Sequence, residues 1–356
     1  MKNKLLTTTA IAGLLISGAA VAQTTVSGNL DLTYKAISNK TTKSDSTRGF
    51  GKETQINITN KGKLNNGVDY VAGFSIEHDG QESGSAGAAA TSSGTAMFNE
   101  NVYIDFIMGN TTLTIGADHI QNPDFEVTNI TGMADLDEII SGVRPASAGY
   151  VNNIGSPYSA FGLGLVQDLG VGKFSVYYTP SSTAVAGDSH GGFSTFSHYV
   201  DGNNAQYEVG FRGNLGVTGL DASYFYNTVD TNDRAQNTNS ADSYKLQAKY
   251  TRSGVTVAAS QAEQEVNTAA TVVTTKKTTA MALGYALNKD LTVSYGRAKT
   301  ESGLASPSTN EKIQAISVGY NLGPVAAGFS VGKVDNYAHT LNQDGKTAQF
   351  TLSTRF

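Results

Sequence analysis

Apolar and polar residues alternate along most of this 356-residue chain with a period of two. That period marks strands with one apolar and one polar face. From Thr25 to Ile37 the even positions are Val26, Gly28, Leu30, Leu32, Tyr34 and Ala36, while the odd ones include Ser27, Asn29, Asp31, Thr33 and Lys35. The pattern returns at Val68, Tyr70, Ala72, Phe74 and Ile76 around Asp69, Ser75 and Glu77, and again at Tyr244, Leu246, Ala248 and Tyr250 around Lys245, Gln247 and Lys249. Charges fall on the polar face, with Glu100 as the exception, near a strand end.

Short connections alternate with long ones. The short candidates are Asn60 to Asn66, Gly109-Asn110, Asp168 to Gly172, Leu215 to Gly219, Arg252 to Gly254, Asn288 to Asp290 and Gly323-Pro324. The long polar ones are Ser38 to Gly49, Asp79 to Ala96, His119 to Ser159, Pro180 to Asn204, Asp230 to Asp242, Ala262 to Lys277, Lys299 to Asn310 and Asp335 to Lys346. Seven turns and eight loops predict about sixteen strands. No apolar run after Gln23 is long enough for a spanning helix, which needs roughly 20 residues. A soluble β-sandwich also alternates, but an even number of strands joined by short turns and long loops fits an antiparallel transmembrane β-barrel, the form that satisfies every backbone polar group in lipid. Such a barrel encloses an aqueous channel rather than a packed core.

The longest break in the alternation is His119 to Ser159. It carries Asp124, Glu126, Asp135, Asp137 and Glu138 against the single basic residue Arg144. Within it, Met133, Leu136, Ile139 and Ile140 have helical spacing, with Asp135, Asp137 and Glu138 on the other side. The expectation is a third loop that folds into the lumen, carries a short helix over 133–141 and narrows the pore with its acids; an outward loop with solvated charges is the alternative. By alternation Lys35, Arg212, Lys245 and Lys249 face the lumen and are the candidate basic partners.

The last ten residues alternate cleanly: Ala348, Phe350, Leu352, Thr354 and Phe356 share one face, Thr347, Gln349, Thr351, Ser353 and Arg355 the other. At the other end, Lys2 and Lys4, the short apolar stretch Leu5 to Ile16 and Ala20-Val21-Ala22 read as a secretory signal peptide over 1–22, leaving a barrel domain over 23–356. The formal net charge is −5; removing the two lysines leaves 23 basic against 30 acidic residues, a charge of −7, which gives no reason to expect a nucleic-acid partner. Thirty-nine glycines, seventeen tyrosines, fourteen phenylalanines and no cysteine suit twisted strands with tight turns rather than a disulfide-stapled scaffold. With no tryptophan, any aromatic girdle must be built from Tyr and Phe.

The run Gly67-Val68-Asp69-Tyr70-Val71-Ala72-Gly73-Phe74-Ser75-Ile76-Glu77, then Phe98-Asn99-Glu100-Asn101-Val102-Tyr103-Ile104 and Leu113-Thr114-Ile115-Gly116, resembles the trimeric general porins of Gram-negative outer membranes. Ser156-Pro157-Tyr158-Ser159-Ala160-Phe161-Gly162 is similar to the return from their third loop. The resemblance implies a sixteen-stranded homotrimer in the outer membrane, with loop-three carboxylates facing wall bases. It also implies that Phe350, Leu352 and Phe356 form the terminal signal read by the assembly machinery. Many relatives carry an arginine after the glycine matching Gly116; here the chain reads Ala117-Asp118, so Asp118 joins the acidic side of the constriction.

These readings converge on a passive diffusion channel for small hydrophilic solutes, weakly cation-selective because acids exceed bases in loop three. A substrate-selective channel with a saturable site and a non-conducting adhesin are the other classes. No cofactor, metal or catalytic group is called for. Gly187-Asp188-Ser189-His190-Gly191 matches G-x-S-x-G but lacks the flanking strand and helix that a hydrolase elbow needs. His190 and His198 lack zinc-ligand spacing, and Asp230 to Asp242 lacks the glycine of an EF-hand.

Overall fold

The fold is seen in a computed structural model, which describes residues 23–39, 47–81, 98–116, 162–179, 206–229, 242–269, 272–302 and 309–356. Sixteen strands close into one antiparallel barrel, each bonded to its neighbours in sequence and the first to the last. They are β1 (Gln23–Asn39), β2 (Thr47–Lys63), β3 (Asp69–Gln81), β4 (Phe98–Met108), β5 (Thr111–Gly116), β6 (Gly162–Asp168), β7 (Gly172–Thr179) and β8 (Gln206–Gly213). The second half is β9 (Leu220–Val229), β10 (Asp242–Arg252), β11 (Val255–Ala269), β12 (Val272–Ala286), β13 (Leu291–Ser302), β14 (Glu311–Asn321), β15 (Val325–Asp335) and β16 (Gly345–Arg355). The one helical turn among the described residues is a 3-10 turn, Tyr337–His339, between β15 and β16. No helix among them is long and apolar enough to cross a membrane.

The barrel is apolar outside and polar within. Leu246 is 55 % exposed on the outer face, while its neighbour Gln247, facing inward, is 1 % exposed. The concave wall shields short inner side chains with their neighbours, and the outer ones stand clear for lipid. Lower on the outer face, next to the short turns, Tyr70, Phe106, Phe174, Phe211, Tyr250, Tyr285 and Tyr320 form one aromatic girdle by register. The same Asx device builds most of the short turns. Asn66, Asp168, Asn214, Asn288 and Asn321 each accept a backbone N–H two residues on, at 2.8–3.2 Å. Ser253 (φ 51°) and Gly254 (φ 79°) make the tight turn after β10, with the two positive φ values that match the twist of a hairpin.

Several boundaries differ from the sequence reading. β2 continues to Lys63, so the first turn starts at Leu64 rather than Asn60. The stretch Ala262 to Lys277, expected as a long loop, is mostly ladder: β11 and β12 pair from Val255↔Tyr285 to Ala269↔Val272, with 270–271 between them. Glu263 and Lys277 pair on the outward face there, so the alternation fades before the hydrogen bonding does. Glu100 is explained by a β-bulge. Between the pairs Gly73↔Tyr103 and Ser75↔Glu100, Phe74 faces two residues, and Asn101 takes φ 51° there. The extra residue reverses the parity of β4, so Glu100 comes into register with Ser75.

The chain end is built into the seam. Gly28 N–H donates to the Phe356 carbonyl at 2.7 Å and Phe356 N–H to the Gly28 carbonyl at 3.0 Å, extending the β1–β16 ladder by one pair. The Phe356 ring lies over Gly28: a Cβ there would sit 2.7 Å from its Cζ and 2.6 Å from the Gln55 carbonyl oxygen. Gly28→Val should therefore destabilise the seam by about 1–3 kcal/mol, as overpacking does. The expected readout is a lower unfolding midpoint of the refolded barrel in denaturant; an unchanged midpoint would show that the ring does not need the space.

Candidate functional site: the lumen wall

The lumen positions follow from alternation and register. Lys35 stands opposite Gln349 and Gly49 on the inner face. Lys245 is inward and 2 % exposed, between Phe225 and Ala262 on the neighbouring strands. Arg212 faces inward near the short-turn end of β8 and clasps Asp221 on β9, its Nε at 3.1 Å from one carboxylate oxygen and an Nη at 2.8 Å from the other. Lys249 stands directly opposite Asp221 in the register, so Arg212, Asp221 and Lys249 form one charged row across β8, β9 and β10. The four candidate bases thus share the lumen face without forming one cluster: Lys35 is on β1, and Lys245 sits nearer the long-loop end than Arg212 and Lys249.

Asp118, Asp124, Glu126, Asp135, Asp137, Glu138 and Arg144, together with the helix expected over 133–141, lie outside the described residues. So do the signal peptide and the G-x-S-x-G stretch with His190 and His198. Phe350 is on the outer face, Leu352 pairs with Leu32 and Ala327 on that same face, and Phe356 closes the seam.

The wall carries charges that the search for basic partners passed over. On β1–β4 the inner face holds Asp31, Glu53, Asp69, Glu77 and Asp105, with Lys35, Lys61 and Lys63 as the bases. On β7–β12 it holds Lys173, Arg212, Lys245, Lys249 and Lys276, with Glu208 and Asp221 as the acids. β2 and β10 are eight strands apart in a ring of sixteen, so the acid-rich and base-rich arcs face each other across the lumen. Some charges are locally tied: Lys63 pairs with Asp69 at 2.8 Å, and Thr114 donates to Asp105 at 2.6 Å. Glu53 and Glu208 were legible from the alternation that exposed Lys35, since both stand at inward parity in alternating strands. Asp31 and Glu53 are paired like charges in the register; with Gln55, Asn57 and Arg355 they line a recess of about 490 Å³ beside the seam.

One inner region is not polar. Ala280, Ala298, Ile313, Ala315 and Val334 cluster on the inner face of β12–β15, with Ile37 and Tyr337 against them. Tyr177 and Phe225 are also inward. Alternation alone could not reveal these, because an apolar residue at an inward position reads as a lapse in the pattern.

A closed sixteen-stranded barrel with an apolar outer face and a charged lumen defines an outer-membrane diffusion channel. The chain belongs to the Gram-negative porin family, which it matches over residues 7–355. Among solved structures it is similar to an anion-selective porin from Comamonas acidovorans, at 12% identity and TM-score 0.66 over 94% of this chain and 100% of that one. It is also similar to OmpF of Salmonella typhi in complex with daunomycin (13% identity, TM-score 0.61, 94% of this chain and 98% of that one). A third is in-vitro folded OmpT of Vibrio cholerae in its trimer form (11% identity, TM-score 0.57, 94% of this chain and 99% of that one). No curated protein sequence matches the chain.

Because the chain has no cysteine, single cysteines report the faces without background. Lys35→Cys and Lys249→Cys should react with a membrane-impermeant thiol reagent in reconstituted vesicles, and Leu32→Cys and Leu246→Cys should be at least tenfold slower. Equal rates at Lys249 and Leu246 would contradict the assigned faces.

Proposed function

We propose that the protein is a passive diffusion channel for small hydrophilic solutes and ions, weakly cation-selective, that works as a homotrimer with the long loops outside the cell. The observation that carries this is the lumen itself, wide, charged and divided into facing acid-rich and base-rich arcs. A transverse field of that kind orients dipolar solutes and penalises apolar ones, whereas the sign of the net excess sets ion preference. On the described wall acids and bases come close to balance, so the tie is broken by His119 to Ser159, where five acids meet Arg144, and by Asp118 in place of an expected arginine. The C. acidovorans porin is described as anion-selective; that property rests on its own lumen charges, which 12% identity does not carry over. The trimer form of the V. cholerae OmpT structure supports the oligomer.

Export by a signal peptide over 1–22, with the mature chain starting at Gln23, belongs to this reading. Recognition by the outer-membrane assembly machinery falls to Phe350, Leu352 and Phe356. The apolar inner cluster around Ile313 and Val334 favours a second reading, a selective channel with a saturable site.

Planar-bilayer recording separates these readings. Stepwise conductance with a reversal potential of cation-preferring sign in a KCl gradient is expected, and Asp135→Asn/Asp137→Asn/Glu138→Gln should move that potential toward zero. Anion preference in the unaltered protein would remove the selectivity assignment, saturation by one solute would favour the selective channel, and absence of conductance would favour an adhesin.

A further inference from the structure

The recess beside the seam has a chemistry that bulk conduction does not call for. At the short-turn end, β1, β2 and the last residues of β16 border a space of about 490 Å³ lined by Asn29, Asp31, Glu53, Gln55, Asn57 and Arg355. All six stand at the inward parity of their strands. The register places Asp31 opposite Glu53, Asn29 opposite both Gln55 and Arg355, and Asn57 opposite Ser27 one step nearer the rim. The volume is that of a small-molecule site, for which about 300–1,000 Å³ is usual.

The charges around it are sorted by sign. Asp31 and Glu53 sit side by side on β1 and β2, while Arg355 stands two residues nearer the rim on the other flank of β1; the neutral amides of Asn29, Gln55 and Asn57 fill the rows at and below its level. Two carboxylates directly opposite in a ladder repel, and a cationic group seated between them relieves that repulsion. The Asn29 amide donates to Asp31 at 3.3 Å, yet neither Asp31 nor Arg355 forms an ion pair with a described residue. Glu53 and Arg355 are exposed, so the acidic and the basic end are both open to a solute. One strand across at ~4.8 Å and two residues along at ~3.3 Å each put the Cα atoms of Asp31 and Arg355 about 8 Å apart. The Asp31 side chain is short and the Arg355 side chain long, so the arginine adjusts the gap to what lies between.

We propose that this recess binds a zwitterionic amino acid with a polar side chain. Its ammonium group sits between Asp31 and Glu53, and its carboxylate takes the Arg355 guanidinium, whose fork suits bidentate contact with a carboxylate. The amides of Asn29, Gln55 and Asn57 supply donors and acceptors for the polar side chain. A metal ion suits the two carboxylates but is repelled by the guanidinium beside them, and a diamine meets the same repulsion. The site rests on the channel reading, because a solute must enter the lumen to reach it, and it gives the selective form of that reading a substrate class.

The test uses the full barrel refolded in detergent, with binding followed by ligand-observed NMR titration of free glutamine, its N-acetyl form, its α-amide and putrescine. Saturable binding of glutamine is expected, with the other three at least tenfold weaker. Arg355→Gln should abolish the preference for glutamine over its α-amide, and Asp31→Asn/Glu53→Gln the preference over the N-acetyl form, each lowering the affinity for glutamine at least tenfold. If the double variant refolds poorly, Glu53→Gln alone, at an exposed position, should lower that affinity about threefold. Equal affinity in the variants and the unaltered protein would overturn the site. So would putrescine held as tightly as glutamine, which would make the recess a cation site only. Absent conductance of the unaltered protein in a planar bilayer, with binding intact, would instead overturn the channel reading alone.

Discussion

Backbone hydrogen bonding in hydrocarbon governs this molecule. A peptide group left without a partner in lipid costs several kcal/mol, so a sheet crossing the membrane cannot keep an edge. Here β1 meets β16 from Asn29↔Arg355 to Asn39↔Gly345, and the ladder then extends to Phe356 and Gly28. The final residue is therefore part of the closure and not a tail beyond it. Gly28 has no side chain because the Phe356 ring occupies that space, so the seam depends on a small residue at one end of the chain and a large one at the other. This gives Phe356 a packing role that stands apart from any recognition role.

Once closure is imposed, the side chains divide into those that face lipid and those that face water, and each strand must keep its parity. β4 shows how that rule is kept when the sequence breaks it. A strict alternation would give Glu100 the parity of Val102 and Ile104; the bulge at Asn101 inserts one residue and brings position 100 into register with Ser75. The cost is a non-glycine residue at positive φ, partly offset by the Asn101 amide donating to Ser75 Oγ at 2.8 Å. Asparagine is among the few side chains that tolerate that backbone region.

Much of the fold was legible because closure and parity write directly into the sequence. The terminal strand and the short turns could be read from period-two alternation and from Asn, Asp and Gly at turn positions. The strands hidden within Ala262 to Lys277 could not, since Glu263 and Lys277 pair on the outward face, where alternation expects apolar residues. The bulge was invisible for a different reason: periodicity detects the faces of a strand but not a one-residue slip within it. Of the candidate site, the inward direction of Lys35, Arg212, Lys245 and Lys249 was legible from their apolar neighbours. The pairing of Arg212 with Asp221 was not, because it joins two strands whose register the sequence does not state. The inner cluster of Ile313 and Val334 defeats alternation altogether, as the pattern is inverted there: the apolar side chains point inward while Lys312, Gln314, Lys333 and Asp335 beside them point outward.

Closure also explains why the shape survives when the sequence does not. The barrel is held by backbone ladders and by an outer face that need only be apolar, so few positions demand a particular side chain, and identities of 11–13% accompany the same architecture. A packed soluble core would not allow this, because each buried side chain there must fit its neighbours. The lumen positions are freed in the same way: a charge on the inner wall meets water and costs the fold little. Arg212 and Asp221 illustrate the scale, since a pair about one third exposed contributes on the order of 0.2–1 kcal/mol. Lumen charge can thus change sign with almost no effect on stability, and selectivity is a property of each chain's own wall and loops rather than of the fold. The outer rim differs, because a base on β12–β16 stands on the lipid-facing side of the wall, where Lys299 and Lys333 are each paired with a carboxylate of their own strand. Charges placed there are constrained by the membrane, while those inside are constrained only by the solutes that pass.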